Sequence, residues 1–337
     1  MRTFFIAVAA AVIASLPAPV MAQVLWTTGY VNPNTCRSHA AAHGAANFSR
    51  TIQGHKWPHT TGGGIEFIDH TSAHLSAAAF GRANDRALAN RLVVAAQSGA
   101  FTRLDFEGPG GPSPSFATSL VVRNVSYAVS YLRTRNAISP EELRLISGWI
   151  GMLQRNSRSR AHALDHQASI ITADITWTAA IGDISGLNAA ASQFVRYMGR
   201  LGRNPYFVND IRYNNEIMHH ATMAALVLRL NGFDAFNRSY GNHTFNDAII
   251  HHARQVAANR DRPLRTGSEP GDLARSIFRA QGFGTHLAWI PVVLNTPGSE
   301  PARGDVRALD ALLRQTDRNP YWGIQMGVLT GCLFGRQ

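Results

Sequence analysis

The sequence predicts an all-α fold of antiparallel helix pairs, and three observations predict it. Apolar residues recur at three-and-four spacing in segment after segment from residue 71 almost to the end. Clusters of Gly, Pro and Asn separate those segments, at 108–114, 202–205, 263–271 and 297–304. Alternating strand patterns are scarce.

The first 22 residues have a different character. Arg2 supplies a positive end, Phe4 to Leu16 is an apolar run, and Val20-Met21-Ala22 presents small residues at −3 and −1. The run stops at Pro17, short of the ~20 residues that span a bilayer. A cleavable signal peptide is therefore expected, with the mature chain starting near Gln23. The predicted location is periplasmic or secreted, with no membrane insertion after cleavage.

Residues 23–70 look irregular, rich in Gly, Thr, Asn and His. Within 39–70, Gly54-His55-Lys56-Trp57-Pro58-His59 runs into Gly62-Gly63-Gly64, which reads either as a lid or as a plain connector. Helical periodicity then covers 83–97, 115–135, 140–154, 168–180, 187–201, 216–230, 245–258 and 273–281. Ser139-Pro140-Glu141-Glu142 carries a helix start, with Ser at the cap and Pro at the first position. Helix pairs joined by short loops suit a curved solenoid or a closed toroid. No fixed repeat period is visible, which argues against tetratricopeptide and ankyrin arrays. One helical domain over 23–337 is the economical reading.

The chain of 337 residues carries 32 Lys and Arg against 21 Asp and Glu, a net charge of +11. Signal cleavage takes Arg2 with it and leaves +10. Lys56 is the only lysine, so 31 of the cations are arginines, whose planar fork suits carboxylate and phosphate. For an exported protein the polyanion to expect is acidic polysaccharide rather than nucleic acid. The two cysteines, Cys36 and Cys332, stand near opposite ends, where one disulfide or two buried thiols fit equally. No zinc spacing, phosphate loop, dinucleotide fingerprint or nucleophile elbow is present, so neither metal nor cofactor is expected.

Two polar clusters stand where amphipathicity does not require them. One is Asp165-His166-Gln167, opening the helix that carries Trp177. The other runs from Asp210 through Arg212, Tyr213, Asn214 and Asn215 to Glu216, opening the helix that carries His219 and His220. Each also fits a helix cap with a solvated first turn. Ala95 to Phe106 (AAQSGAFTRLDF) matches a helix end of the form ALSGAYLRLKF; His166 falls at an Asn-Asn-His, Tyr213-Asn214-Asn215 at a Tyr-His-Asn, Asn242-His243 at an Asn-His, and Leu287-Ala288-Trp289-Ile290-Pro291 at a Leu-Ala-Trp-Leu-Glu-Pro. In this order and spacing, over roughly 83–335, the chain resembles the alginate lyases of polysaccharide lyase family five.

The resemblance implies an incomplete (α/α) toroid and β-elimination on a uronate polymer. That reaction needs the uronate carboxylate neutralised, a base for the C5 proton and an acid for the leaving oxygen. Carried over, His166 is the candidate base and Tyr213 the candidate acid, or Tyr213 serves as both. Arg212 is the arginine nearest the tyrosine, with Arg203 as the other candidate, and Lys56 is the only lysine available for the lysine that the family carries on its lid loop. Asn214 or Asn215 is a candidate amide for the carboxylate, and Trp289 either a sugar platform or a core residue. The family's neutralising Asn is Asp165 here. A carboxylate there repels a uronate unless protonated or paired, or else orients His166. Hence the alternative of a toroid that binds acidic exopolysaccharide without cutting it. A monomer is expected.

Overall fold

The computed structural model describes residues 48–53, 63–79, 81, 83–107, 113–159, 163–258 and 287–315. The expected signal peptide, Cys36, Lys56, the helix expected over 273–281 and Cys332 lie outside the described residues, as does the side chain of Arg212. The described residues are mostly helix. Their strands are β1 (Thr51–Gln53) and β2 (Arg103–Asp105), which pair in parallel with Thr51 opposite Arg103.

The helices are α1 (Gly63–Ala79), α2 (Asp85–Ser98), α3 (Pro114–Thr134), α4 (Pro140–Arg158), α5 (Leu164–Ile181), α6 (Ile184–Met198), α7 (Ile211–Leu230), α8 (Phe245–Ala258), α9 (Trp289–Asn295) and α10 (Arg303–Arg314). The odd-numbered helices form an inner row, α1 on α3, α3 on α5, α5 on α7. α2 and α4 touch each other outside that row, and α2, α4, α6 and α8 each pack on the helix before them. This two-layered, all-α arrangement is an (α/α) toroid, as the resemblance implied.

Of the segment 39–70, expected as a lid or a plain connector, residues 48–53 and 63–70 are described. Residues 63–70 are the first two turns of α1, with Phe67 and Ile68 buried in the core. The three glycines of 62–64 break the apolar period and so hide the start. Gly64 serves close approach: a Cβ there would lie 2.8 Å from Ile52 Cδ1 on β1.

α3 is the axis of the molecule, buried from Pro114 to Leu132. Its hydroxyls survive burial by bonding their own helix: Thr118 donates to Pro114 O, Ser119 to Phe116 O and Ser126 to Val122 O. Two contacts fix its register with α5. Phe116 stacks on His166, and Ser119 Oγ meets Ser169 Oγ, each pair 50 residues apart. A constant offset means that α3 and α5 run parallel.

Local chemistry sets the ends. Ser139 and Glu142 close a capping box at the start of α4, and Arg86 of α2 grips the same Glu142 carboxylate with both Nη atoms. That grip holds Glu142 down at about 2, chiefly through the Arg86 hydrogen bond. α2 ends at Gly99 (φ 63°), and Phe101 takes φ 60° two residues on. A bulky residue in the left-handed region is strained; burial of its ring against Phe67, centroids 5.4 Å apart, offsets the cost. Trp149 of α4 is buried beside them and donates its indole N–H to Ala100 O at 2.7 Å.

Candidate functional site

The site is built at the N-terminal ends of α5 and α7. Tyr197, at the end of α6, donates its hydroxyl to Leu164 O at 3.1 Å, so α6 returns to where α5 begins. Phe207, in the following loop, stacks on Tyr197 with centroids 5.7 Å apart. Asn214, in the first turn of α7, accepts from the N–H groups of Phe207 and Val208 and donates to Val208 O at 2.5 Å. α7 therefore starts beside the start of α5, and the two run parallel. Thr172 of α5 donates to His220 O of α7, 48 residues on, at 2.9 Å. The same offset applied one heptad earlier sets Tyr213 level with Asp165, the residue before His166.

His166 is half-buried, its ring stacked on Phe116 at 4.9 Å and 24°. Burial pushes its pKa below the ordinary imidazole value, and the Asp165 carboxylate, 3.9 Å from Nε2, pulls against that push. The net shift leaves a neutral imidazole at neutral pH, the state a base needs. Asp165 itself is almost buried, and its charge reaches the Tyr197 phenol as well. Tyr213 is 41% exposed, on the open side of α7, with its backbone N–H on Asp210 Oδ1 at 3.3 Å.

Scanning protein-family models matches none of them, and a search of the curated proteins finds no match. Solved structures do match. A histidine-to-alanine variant of alginate lyase A1-III complexed with tetrasaccharide superposes with a TM-score of 0.64 at 14% identity, covering 96% of this chain and 97% of that one. Alginate lyase A1-III from Sphingomonas species A1 gives 0.61 at 14% identity, over 96% of this chain and 92% of that one. A tyrosine-to-phenylalanine variant complexed with tetrasaccharide gives 0.59 at 14% identity, over 82% and 78%. The likeness is one of fold.

The structure keeps some candidate residues together and removes others. His166 and Tyr213 share one end of the inner row. Arg203 is exposed on the turn after α6 at that same end, and its carbonyl meets His243 Nε2 at 3.3 Å. Asn214 is corrected from carboxylate binder to loop strut, since both its polar atoms hold residues 207–208. Asn215 is corrected as well. It is 2% exposed, and its Oδ1 accepts from His252 Nε2 at 3.1 Å and from Trp289 Nε1 at 2.9 Å. Trp289 is wholly buried, so it presents no face for a sugar to stack on. These corrections share one cause: Asn214 and Asn215 lie on the side of α7 turned to the loop and to α8 and α9, where an amide ties elements together.

Three contributors carried no sequence signal of function. Phe116 is one more apolar residue in the sequence, and only the parallel register makes it the floor under His166. His220, 0% exposed, meets the Phe116 ring edge-on with centroids 5.6 Å apart. Arg200 lies over the Tyr197 ring at 4.8 Å and reaches Gln167 Oε1 at 3.4 Å. It forms no ion pair with a carboxylate among the described residues. No cluster of His, Cys, Asp and Glu suited to a metal occurs among the described residues. No helix among them is long and apolar enough to cross a membrane.

Proposed function

We propose that this chain is a polysaccharide lyase of the periplasm or the secreted fraction, cutting a uronate-containing polymer by β-elimination. The observation that carries the reading is the shared register of α5 and α7, with the half-buried neutral His166 and the exposed Tyr213 at one level. The fold neighbours support it, since alginate lyase A1-III is crystallised with a tetrasaccharide as a histidine variant and as a tyrosine variant.

In the proposed reaction the uronate lies across the N-terminal ends of α5 and α7. His166 takes the C5 proton, the C5–H electrons form the C4=C5 double bond, and the C4–O bond breaks. The leaving glycosidic oxygen takes the Tyr213 hydroxyl proton, which solvent then restores. Arg200 and Arg203 are the cations on the turn beside this site, and their charge offsets the uronate carboxylate as electron density builds on it. Asp165 orients His166 rather than holding the uronate. The net positive charge of the chain draws an anionic polymer toward the protein.

Incubation with alginate and with polyglucuronate tests the reading through the ultraviolet absorbance of the unsaturated product. His166→Ala and Tyr213→Phe are each expected to lower the rate by about 10²–10⁴, the worth of a positioned acid or base. A double variant with full activity overturns the assigned roles. The second reading, a toroid that binds acidic exopolysaccharide without cutting it, is favoured by the Asp165 carboxylate beside His166. Retained binding with no unsaturated product from any uronate polymer decides for it.

A further inference from the structure

Behind the Phe116 ring lies a group of side chains that the lyase reading does not use. Arg123 of α3 is 0% exposed and has no carboxylate partner among the described residues. Its Nη1 meets His220 Nδ1 at 2.9 Å. A guanidinium only donates, so Nδ1 accepts and the hydrogen of the neutral ring sits on Nε2. Among the described residues, that Nε2, the Nε and Nη2 of Arg123, and the hydroxyl of Tyr127 are all shielded from solvent without a hydrogen-bond partner. Tyr127 stands one turn after Arg123 on the same face of α3, and the two groups feel each other electrostatically.

The unpartnered nitrogen atoms all carry hydrogens, and the phenol supplies one more. The charge is positive: burial lowers the Arg123 pKa only to about 10, so the guanidinium keeps its proton at neutral pH. The charged or titratable neighbours that His220 senses are Arg123, His219 and His166, and none is acidic. A buried cation without a counter-charge costs several kcal/mol. Water would satisfy the donors and leave that charge uncompensated. A small anion does both. Arg123 and Tyr127 are sealed inside the inner row, a setting that suits a monatomic anion better than a bulky one.

We propose that Arg123 and Tyr127 bind a buried halide, chloride under physiological conditions, which serves as the counter-ion of the toroid's interior. The site is independent of the lyase reading, and its test needs no substrate. Crystals soaked in sodium bromide are expected to show an anomalous peak in contact with Arg123 Nε or Nη2 and with the Tyr127 hydroxyl. Melting is then compared in sodium chloride and sodium gluconate at equal ionic strength. The wild-type midpoint should rise with chloride, as ligand linkage requires. Tyr127→Phe, which keeps the ring and removes one donor, should need at least about tenfold more chloride for the same rise, and Arg123→Met should lose the dependence. If Arg123→Met fails to fold, Tyr127→Phe and the bromide map carry the test. An ordered water at the site with no bromide peak overturns the proposal, as does identical melting of the wild type in the two salts.

Discussion

Asp69, in the second turn of α1, is expected to make the protein less stable as the pH rises from 4 to 7, and Asp69→Asn is expected to remove that loss. Its Oδ1 is shielded from solvent and has no hydrogen-bond partner among the described residues, while Glu66 stands one turn before it. Burial first, and the Glu66 charge second, raise its pKa from 3.8 to about 6. A carboxyl that is easier to protonate in the folded state holds more protons there than in the unfolded chain between those two values. Stability from this group is therefore fully present below the unfolded value and lost as pH climbs through the folded one. Two pKa units at about 1.4 kcal/mol each give about 3 kcal/mol as the ceiling of the loss. Asn keeps the shape and cannot ionise. Urea unfolding of both proteins at pH 4, 5, 6, 7 and 8 measures the effect as the difference in midpoint at constant slope. The two should agree near pH 4, and the variant should lead by 1–3 kcal/mol at pH 8, on the order of the ceiling above. A difference that does not grow between pH 4 and 7 would refute the reasoning.

Other perturbations reach the candidate site and the scaffold. The Asp165 carboxylate raises the His166 pKa against the dominant effect of burial. Asp165→Asn should thus move the acid limb of kcat/KM to lower pH, measured with the polymer that proves to be cut. Asn214→Ala should release residues 207–208 and cost about 1–3 kcal/mol by leaving buried backbone groups unpaired. Its thermal midpoint and the activity of the neighbouring Tyr213 should fall together. Gly241 has φ +98°, and an added Cβ would lie 2.6 Å from Gly202 Cα. Backbone cannot yield as a side chain does, so Gly241→Ala should lower the melting temperature by several degrees. Arg86→Ala removes the clamp on the α4 capping box. Because Arg86 is half-exposed, solvent screening holds the expected loss to about 1 kcal/mol, read by urea unfolding.

What could be read directly was whatever depends on residues near in sequence. The periods of α2 to α8 came through because an amphipathic helix repeats its own pattern, and Ser139-Pro140-Glu141-Glu142 marked its start because a capping box closes within four residues. α1 escaped because the glycine run at 62–64, of which Gly64 packs against Ile52, interrupts the pattern. The polar openings of α5 and α7 were visible as anomalies, which singled out His166 and Tyr213. Within the same openings, Asn214, Asn215 and Tyr213 look alike as letters. Position around α7 separates them: Tyr213 is exposed, Asn214 holds a loop, and Asn215 bridges His252 to Trp289.

By itself, the sequence determined the all-α class, most helix positions, the excess of arginine and the residues that open α5 and α7. Those are properties of composition and of spacings within a few turns. Only the tertiary structure decided that the inner helices run parallel. That register brings Phe116 under His166, sets Tyr213 level with Asp165, and buries Arg123 against His220 with Tyr127 one turn away. Each of those relations joins residues 48 to 97 positions apart or depends on which side of a helix faces inward. Helical periodicity carries no such information, because it repeats every few residues and is blind to which neighbouring helix a face will meet.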